Sequence, residues 1–201
     1  MAFLIDQAYL PARLTAPPMT DRQFAEFCSE HPDLFFEMTA EGVLIVTPLN
    51  FTLTDASNSG IDFQLRSWAR QDRRGVSNDS SAGYVLPNGA RRSPDGSWVS
   101  RSRIRELSRE SLETYWHLCP DFVIELKSNS DRWRTLREKM QEYIAHGAQL
   151  GWLIDPNTRT VEIYRHDREP EVLADVESVR GEGPVEGFVL RLAPLWDPLA
   201  D

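Results

Sequence analysis

Apolar and polar positions alternate along this chain with two periods, and the points where one period gives way to the other outline its elements. Phe24, Phe27 and Cys28 share one face of a helix that Thr20 can cap and that runs to about Glu30. Phe35-Phe36-Glu37-Met38 and the run from Gly42 to Thr47 alternate as strands; with Ala40-Glu41-Gly42 as turn and Pro48 as stop they predict a hairpin. From about Asp55 to Arg73 the period lengthens: Ile61, Leu65 and Trp68 face the core and Arg66, Arg70 and Arg73 lie outside. Short strands are expected at Val76 to Ser80, continuing irregularly through Tyr84 to Leu86, and at Ser97-Trp98-Val99. A polar stretch from Arg101 to Tyr115 contains a short helix starting near Ser108. A strand over Asp121 to Ser128 leads into a helix from about Asp131 to His146, capped by Ser130 and ended by Gly147. Its apolar stripe is Trp133, Leu136, Met140, Tyr143 and Ile144. Leu150 to Ile154 and Thr160 to Tyr164 are strands joined by a turn at Asp155-Pro156-Asn157-Thr158. The order implies an α/β fold with a mixed central sheet flanked by helices. Residues 1–18, with three prolines, read as an N-terminal arm, and residues 19–201 as one domain.

Composition narrows the class. At 201 residues, with 41% hydrophobic and 26% charged positions, the chain can bury one core. No apolar run approaches the roughly 20 residues of a membrane span, and Met1 to Leu14 carries Asp6 and no basic n-region, so a cytoplasmic location and no membrane partner are expected. Cys28 and Cys119 are too few for a disulfide framework or a zinc site. The net charge of -9 opposes nucleic-acid binding by the chain as a whole, but it is unevenly spread. Arg66 to Lys139 holds 15 Lys plus Arg against 10 Asp plus Glu, and the remainder 7 against 21. The basic middle permits DNA as partner, with Arg101, Arg103 and Arg105 as the first candidates for phosphate contact.

The strand at Pro120-Asp121-Phe122-Val123-Ile124-Glu125-Leu126-Lys127-Ser128 concentrates the chemistry. Alternation puts Phe122, Ile124 and Leu126 on one face and Val123, Glu125 and Lys127 on the other, so two opposite charges sit about 7 Å apart on a strand that otherwise reads as buried. Lys occurs only at 127 and 139, all other cations being Arg, and a compact ammonium can orient a water or face developing phosphate charge. An ordinary ion pair at a strand end is the competing account. Among three Pro-Asp pairs, Asp33, Asp95 and Asp121 compete for a second acid. Asp121 shares the Glu125 face, but four extended residues separate them by roughly 13 Å. Asp95, at a strand start, is the better candidate. Asp95 and Glu125, with the Leu126 carbonyl, offer hard oxygens to Mg²⁺, and Glu37 in the hairpin is a candidate third carboxylate.

Other chemistries fare worse. The four His have no metal-ligand spacing, and neither a Gly-x-Ser-x-Gly elbow nor a phosphate-cradling glycine loop occurs.

Glu-x-Lys preceded by Pro-Asp is the pattern of PD-(D/E)XK nucleases. The run from Pro120 to Ser128, with Lys139, Tyr143, Gly147 and Trp152-Leu153-Ile154-Asp155-Pro156, resembles the restriction endonucleases of the Uma type, a bacterial branch of that superfamily. Glu37, Gly42, Pro48, Pro94-Asp95 and Gly187-Phe188 fit the same likeness. The resemblance implies a restriction-endonuclease-like core and an endonuclease that hydrolyses DNA phosphodiester bonds with Mg²⁺, or Mn²⁺ in its place, often as a homodimer. It assigns catalysis to Asp95, Glu125 and Lys127, an accessory acid to Glu37, and the inward face of the following helix to Lys139 and Tyr143. A nuclease-fold module that only binds or dimerises is the alternative.

Overall fold

In the computed structural model, whose described residues are 10–48 and 52–199, β1 (Ala12–Thr15) lies antiparallel to Val43–Val46. Part of the expected arm therefore belongs to a sheet, and its residues 1–9 lie outside the described residues. Thr20 caps α1 (Asp21–Ser29) as its spacing requires: its side chain accepts from the Gln23 amide and Gln23 reaches back to the Thr20 N–H. The hairpin forms from β2 (Leu34–Met38) and β3 (Val43–Pro48), with Gly42 at a φ of 80° in the turn.

α2 (Thr52–Asp72) leads to β4 (Gly75–Asp79), β5 (Tyr84–Val85), β6 (Arg91–Arg92) and β7 (Gly96–Ser100). The sequence suggests one interrupted strand over 76–86, but β4 and β5 belong to different sheets. Two short helices follow, α3 (Arg101–Ile104) and α4 (Arg109–Glu113), the second capped by Ser108. Then come β8 (Phe122–Leu126), α5 (Trp133–Ala145), β9 (Leu150–Asp155), β10 (Thr160–Arg165), β11 (Arg168–Ala174), β12 (Ser178–Arg180), β13 (Val189–Arg191) and α6 (Ala193–Trp196). One correction concerns the start of α5: Arg132, not Ser130, holds the cap position and makes no side-chain cap bond. Ser130 instead meets Ser128 Oγ, and Asp131 ties the loop by accepting from the Ser128 amide and hydroxyl.

The smaller sheet has the order β1-β3-β2-β6-β5 and the larger β11-β10-β9-β8-β7-β4, with β12 and β13 as a separate pair. Only β8 and β9 are parallel among the assigned pairs, because α5 carries the chain back across one face between them. On that face Val123, Leu153, Met140 and Tyr143 pack together. On the other, Phe122, Ile124 and Trp152 meet Ile61 and Leu65 of α2 and Phe188. Each large side chain so buried contributes on the order of 1.5–3 kcal/mol. Gly151 leaves room for the Met140 side chain of α5, since a Cβ there would come 2.4 Å from Met140 Cε. β8 is buried on both faces, so Glu125 is held in a solvent-poor place by its neighbours.

Candidate active site

β7 runs antiparallel to β8 with Gly96 opposite Ile124, so the residue preceding β7 arrives beside the far end of β8. That residue is Asp95. Its Oδ2 accepts from the Leu126 amide at 2.7 Å, and its Oδ1 from Asn58 Nδ2 at 3.3 Å. Glu125, one residue back on β8, faces α5. There Lys139 and Tyr143, one helical turn apart, converge on it: Lys139 Nζ lies 2.8 Å from Oε1, and the Tyr143 hydroxyl donates to Oε1 at 3.1 Å.

The hairpin brings the third acid. Phe36 and Met38 are buried beneath β2, so Glu37 between them faces the opposite way. It accepts from the Ser93 amide at 2.8 Å and meets Lys139 Nζ at 2.9 Å. β6 pairs with β2 through Arg91 and Met38, which places the buried Arg92 guanidinium 3.5 Å from Glu37 and 2.6 Å from Glu142. Glu37, Arg92, Asp95, Glu125, Lys139 and Glu142 line a cleft of about 790 Å³ between the hairpin, α5 and the Ser128–Asp131 loop.

The charges do not balance. Four acids, Glu37, Asp95, Glu125 and Glu142, surround two cations, Lys139 and Arg92, a formal excess of two negative charges if all the acids ionise. Burial pushes Glu125 up to about 8, against the pull of Lys139 and helped by the nearby Asp95 and Glu37 charges. Burial likewise raises Asp95 to about 6, although the Leu126 N–H favours its charge. For Glu37 burial also opposes ionisation, but Lys139 and Arg92 outweigh it and hold the carboxyl below its usual range. Lys139 is raised, its two carboxylate partners outweighing the desolvation that would lower it.

This donor set suits a hard divalent cation. Among the described residues no group of three or more His, Cys, Asp or Glu is placed to hold a metal ion by itself. Mg²⁺ binds instead through one or two carboxylates, keeping waters and taking phosphate oxygens. Asp95 and Glu125 would be such a pair, and two positive charges would offset the formal excess.

A pH dependence follows. Both carboxyls titrate above their unfolded values of 3.8 and 4.5, so the metal-free folded state holds protons that the unfolded chain has released. Stability then falls as pH rises, from about 4 to 6 for Asp95 and from about 4.5 to 8 for Glu125. Glu37 acts in the opposite sense, its contribution being present above its unfolded value and lost as pH falls through its folded one. Urea melts in chelator at pH 5, 6.5 and 8 should show a falling midpoint. A rising midpoint would mean that Glu125 is ionised in the folded protein.

Of the residues singled out from sequence, Asp95, Glu125, Glu37, Lys139 and Tyr143 converge. Lys127 lies just past β8, with its ammonium 3.7 Å from Asp155 Oδ2, 3.2 Å from the Ser128 carbonyl and 5.9 Å from the centre of the Trp133 ring. The arginine trio follows the other end of β7, roughly 20 Å from Asp95 at about 3.4 Å per residue. There Arg103 pairs with the buried Asp121 at 2.9 Å, Arg101 donates to the Arg73 carbonyl, and Arg105 is exposed. Arg92, Glu142 and Asn58 escaped the sequence reading. Arg92 stands three residues before Asp95, but nothing in its spacing tells a buried arginine from a solvated one.

The sequence matches the family described as "Uma2: Putative restriction endonuclease" over residues 21–193. No curated protein matches it. Matches among solved structures include the crystal structure of a "putative nuclease belonging to DUF820" from Anabaena variabilis. It is 23% identical, with a TM-score of 0.72, and the match covers 91% of this chain and 100% of that one. At that identity the likeness shows the fold, a mixed sheet flanked by helices. No helix among the described residues is long and apolar enough to cross a membrane.

Proposed function

The chain belongs to the Uma2 family, and from that premise we propose that it is a nuclease that hydrolyses DNA phosphodiester bonds with a divalent cation, Mg²⁺ or Mn²⁺. The observation that carries this reading is the convergence of Asp95 and Glu125 at the wall of a cleft where four acids outnumber two cations. Asp95, Glu125 and the Leu126 carbonyl are the residues that would hold the ion. Once bound, it would lower the pKa of a water and neutralise charge on the scissile phosphate.

The protein side chains supply the remaining work. Water oxygen bonds to phosphorus and gives up a proton to solvent, the bond from phosphorus to the leaving sugar oxygen breaks, and that oxygen takes a proton from solvent in return, so one water is consumed. Lys139, whose ammonium already faces Glu125 and Glu37, is the cation we assign to orienting the attacking water. The sequence reading gave that role to Lys127, whose ammonium is turned toward Asp155. Tyr143 fixes the Glu125 carboxylate from behind, and Arg92 with the Ser93 amide holds Glu37. Seven carboxylates and three cations line the cleft, so a phosphate backbone should enter it readily only with the ion in place.

The test is cleavage of supercoiled plasmid, linear duplex and single-stranded DNA in Mg²⁺, Mn²⁺ or EDTA. Nicked or shortened products are expected with either metal and none in EDTA. If the purified protein binds Mn²⁺ yet cuts none of these substrates, the non-catalytic binding module becomes the better account.

A further inference from the structure

Asn58 occupies a position where a helix would ordinarily bury an apolar side chain. It lies on α2 three residues before Ile61, is 8% exposed, and sits one turn beyond Thr54, which lines the cleft. Its Nδ2 donates to Asp95 Oδ1 at 3.3 Å. Its Oδ1 is buried and accepts no hydrogen bond among the described residues. While Asp95 is ionised, turning the amide over would not relieve this, because two acceptor oxygens would then face each other with no hydrogen between them. Asp95 thus dictates the orientation, and the orientation leaves an amide oxygen unpaired within one amide group of a candidate metal ligand. Buried polar atoms without partners are rare because they forfeit their hydration.

We propose that Asn58 is a positioning residue of the metal site: its N–H holds Asp95 Oδ1, and its carbonyl oxygen accepts from a water carried by a divalent cation. The inference rests on the metal-dependent reading above. Waters on Mg²⁺ or Mn²⁺ are polarised donors that need acceptors. A neutral amide oxygen provides one without adding to a site that already carries excess negative charge. A valine or leucine would fill the same volume and leave nothing unpaired, but could do neither task.

The test is calorimetric titration of Mn²⁺ into metal-free wild type, Asn58→Ala, Asn58→Asp and Asp95→Asn, with folding checked by near-ultraviolet circular dichroism. Loss of an outer partner of this kind is expected to weaken Mn²⁺ binding about 10-fold or more in Asn58→Ala. Asn58→Asp gives up the N–H to Asp95 but adds a charged oxygen beside the cation, and that attraction should tighten Mn²⁺ binding. A purely structural asparagine predicts no such opposition. Affinities that are unchanged, or lowered in both variants, overturn the proposal. If Asn58→Ala does not fold, the near-isosteric Asn58→Asp decides alone: tighter binding supports the role, and unchanged or weaker binding overturns it. Wild-type affinity that is lost in Asp95→Asn but indifferent to Asn58 sinks this inference and leaves the metal site standing. A wild type that binds no Mn²⁺ sinks both.

Discussion

Asp95→Asn is expected to lower metal-dependent DNA cleavage by about 10³-fold or more while leaving the fold intact or more stable. The carboxylate supplies half of the charge that the Asp95 and Glu125 pair offers an ion, and a neutral amide cannot replace it. The amide can still accept from the Leu126 N–H, and Asn58 can turn over to meet its new NH₂ group, so the local hydrogen bonds survive. The substitution also removes a carboxyl that burial already holds at about 6, lifting a cost the metal-free protein bears at neutral pH. Glu125→Gln should behave alike in cleavage; it also removes a carboxyl that burial holds high, at about 8, but this gain is offset because Lys139 then keeps only Glu37 as a charged partner. Plasmid cleavage and urea melts on the same preparations check both halves. Cleavage close to wild type in Asp95→Asn would remove the site from where we assign it.

The two lysines should separate sharply. Lys139→Met strips the ammonium from between Glu125 and Glu37 and leaves two acids in a poorly solvated place, with only Arg92 near Glu37. Breaking such a buried pair costs about 3–5 kcal/mol, read as a lower urea midpoint, and cleavage should be lost with it. Lys139→Arg should recover much of the stability but not the cleavage, since a planar guanidinium does not reproduce a compact ammonium between two acids. Lys127→Met forfeits a 3.7 Å approach to Asp155 and a contact with Trp133. The cation–π part of that is worth about 0.5–1 kcal/mol, and cleavage should fall far less than in either Lys139 variant. If Lys127→Met abolishes cleavage in a folded protein while Lys139→Arg retains it, the role returns to the lysine of the Glu-x-Lys pattern.

Much of this was legible before the structure because it depends on neighbours in sequence. The Thr20 cap, the helix start near Ser108, the Gly42 turn, the helix stop at Gly147 and the two faces of β8 follow from local hydrogen bonding and from the 2.0 and 3.6 periods of burial. The pairing of Asp95 with the end of β8 was within reach for the same reason: a Pro-Asp at a strand start and an acid near a strand end can meet if the strands are adjacent and antiparallel. Ser130 misled because a serine before a helix resembles a cap until the loop gives its hydroxyl another partner.

What the chain decided only in three dimensions was which distant side chains share a space. Sequence placed Arg101, Arg103 and Arg105 in the basic middle of the chain, but the direction of β7 carries them to the opposite end of the sheet from Asp95, and Asp121 claims Arg103 there. Lys139 stands between Glu125 and Glu37 because α5 crosses the sheet at the angle its packing on Val123 and Leu153 allows. Arg92 and Asn58 enter the site through a strand of two residues and the buried side of a long helix, neither of which advertises a polar role. Periodicity reports how much of a residue is buried. Whether a buried charge meets a countercharge, an orphaned oxygen or another carboxylate depends on sheet order and helix crossing, which are set by the packing of the whole core.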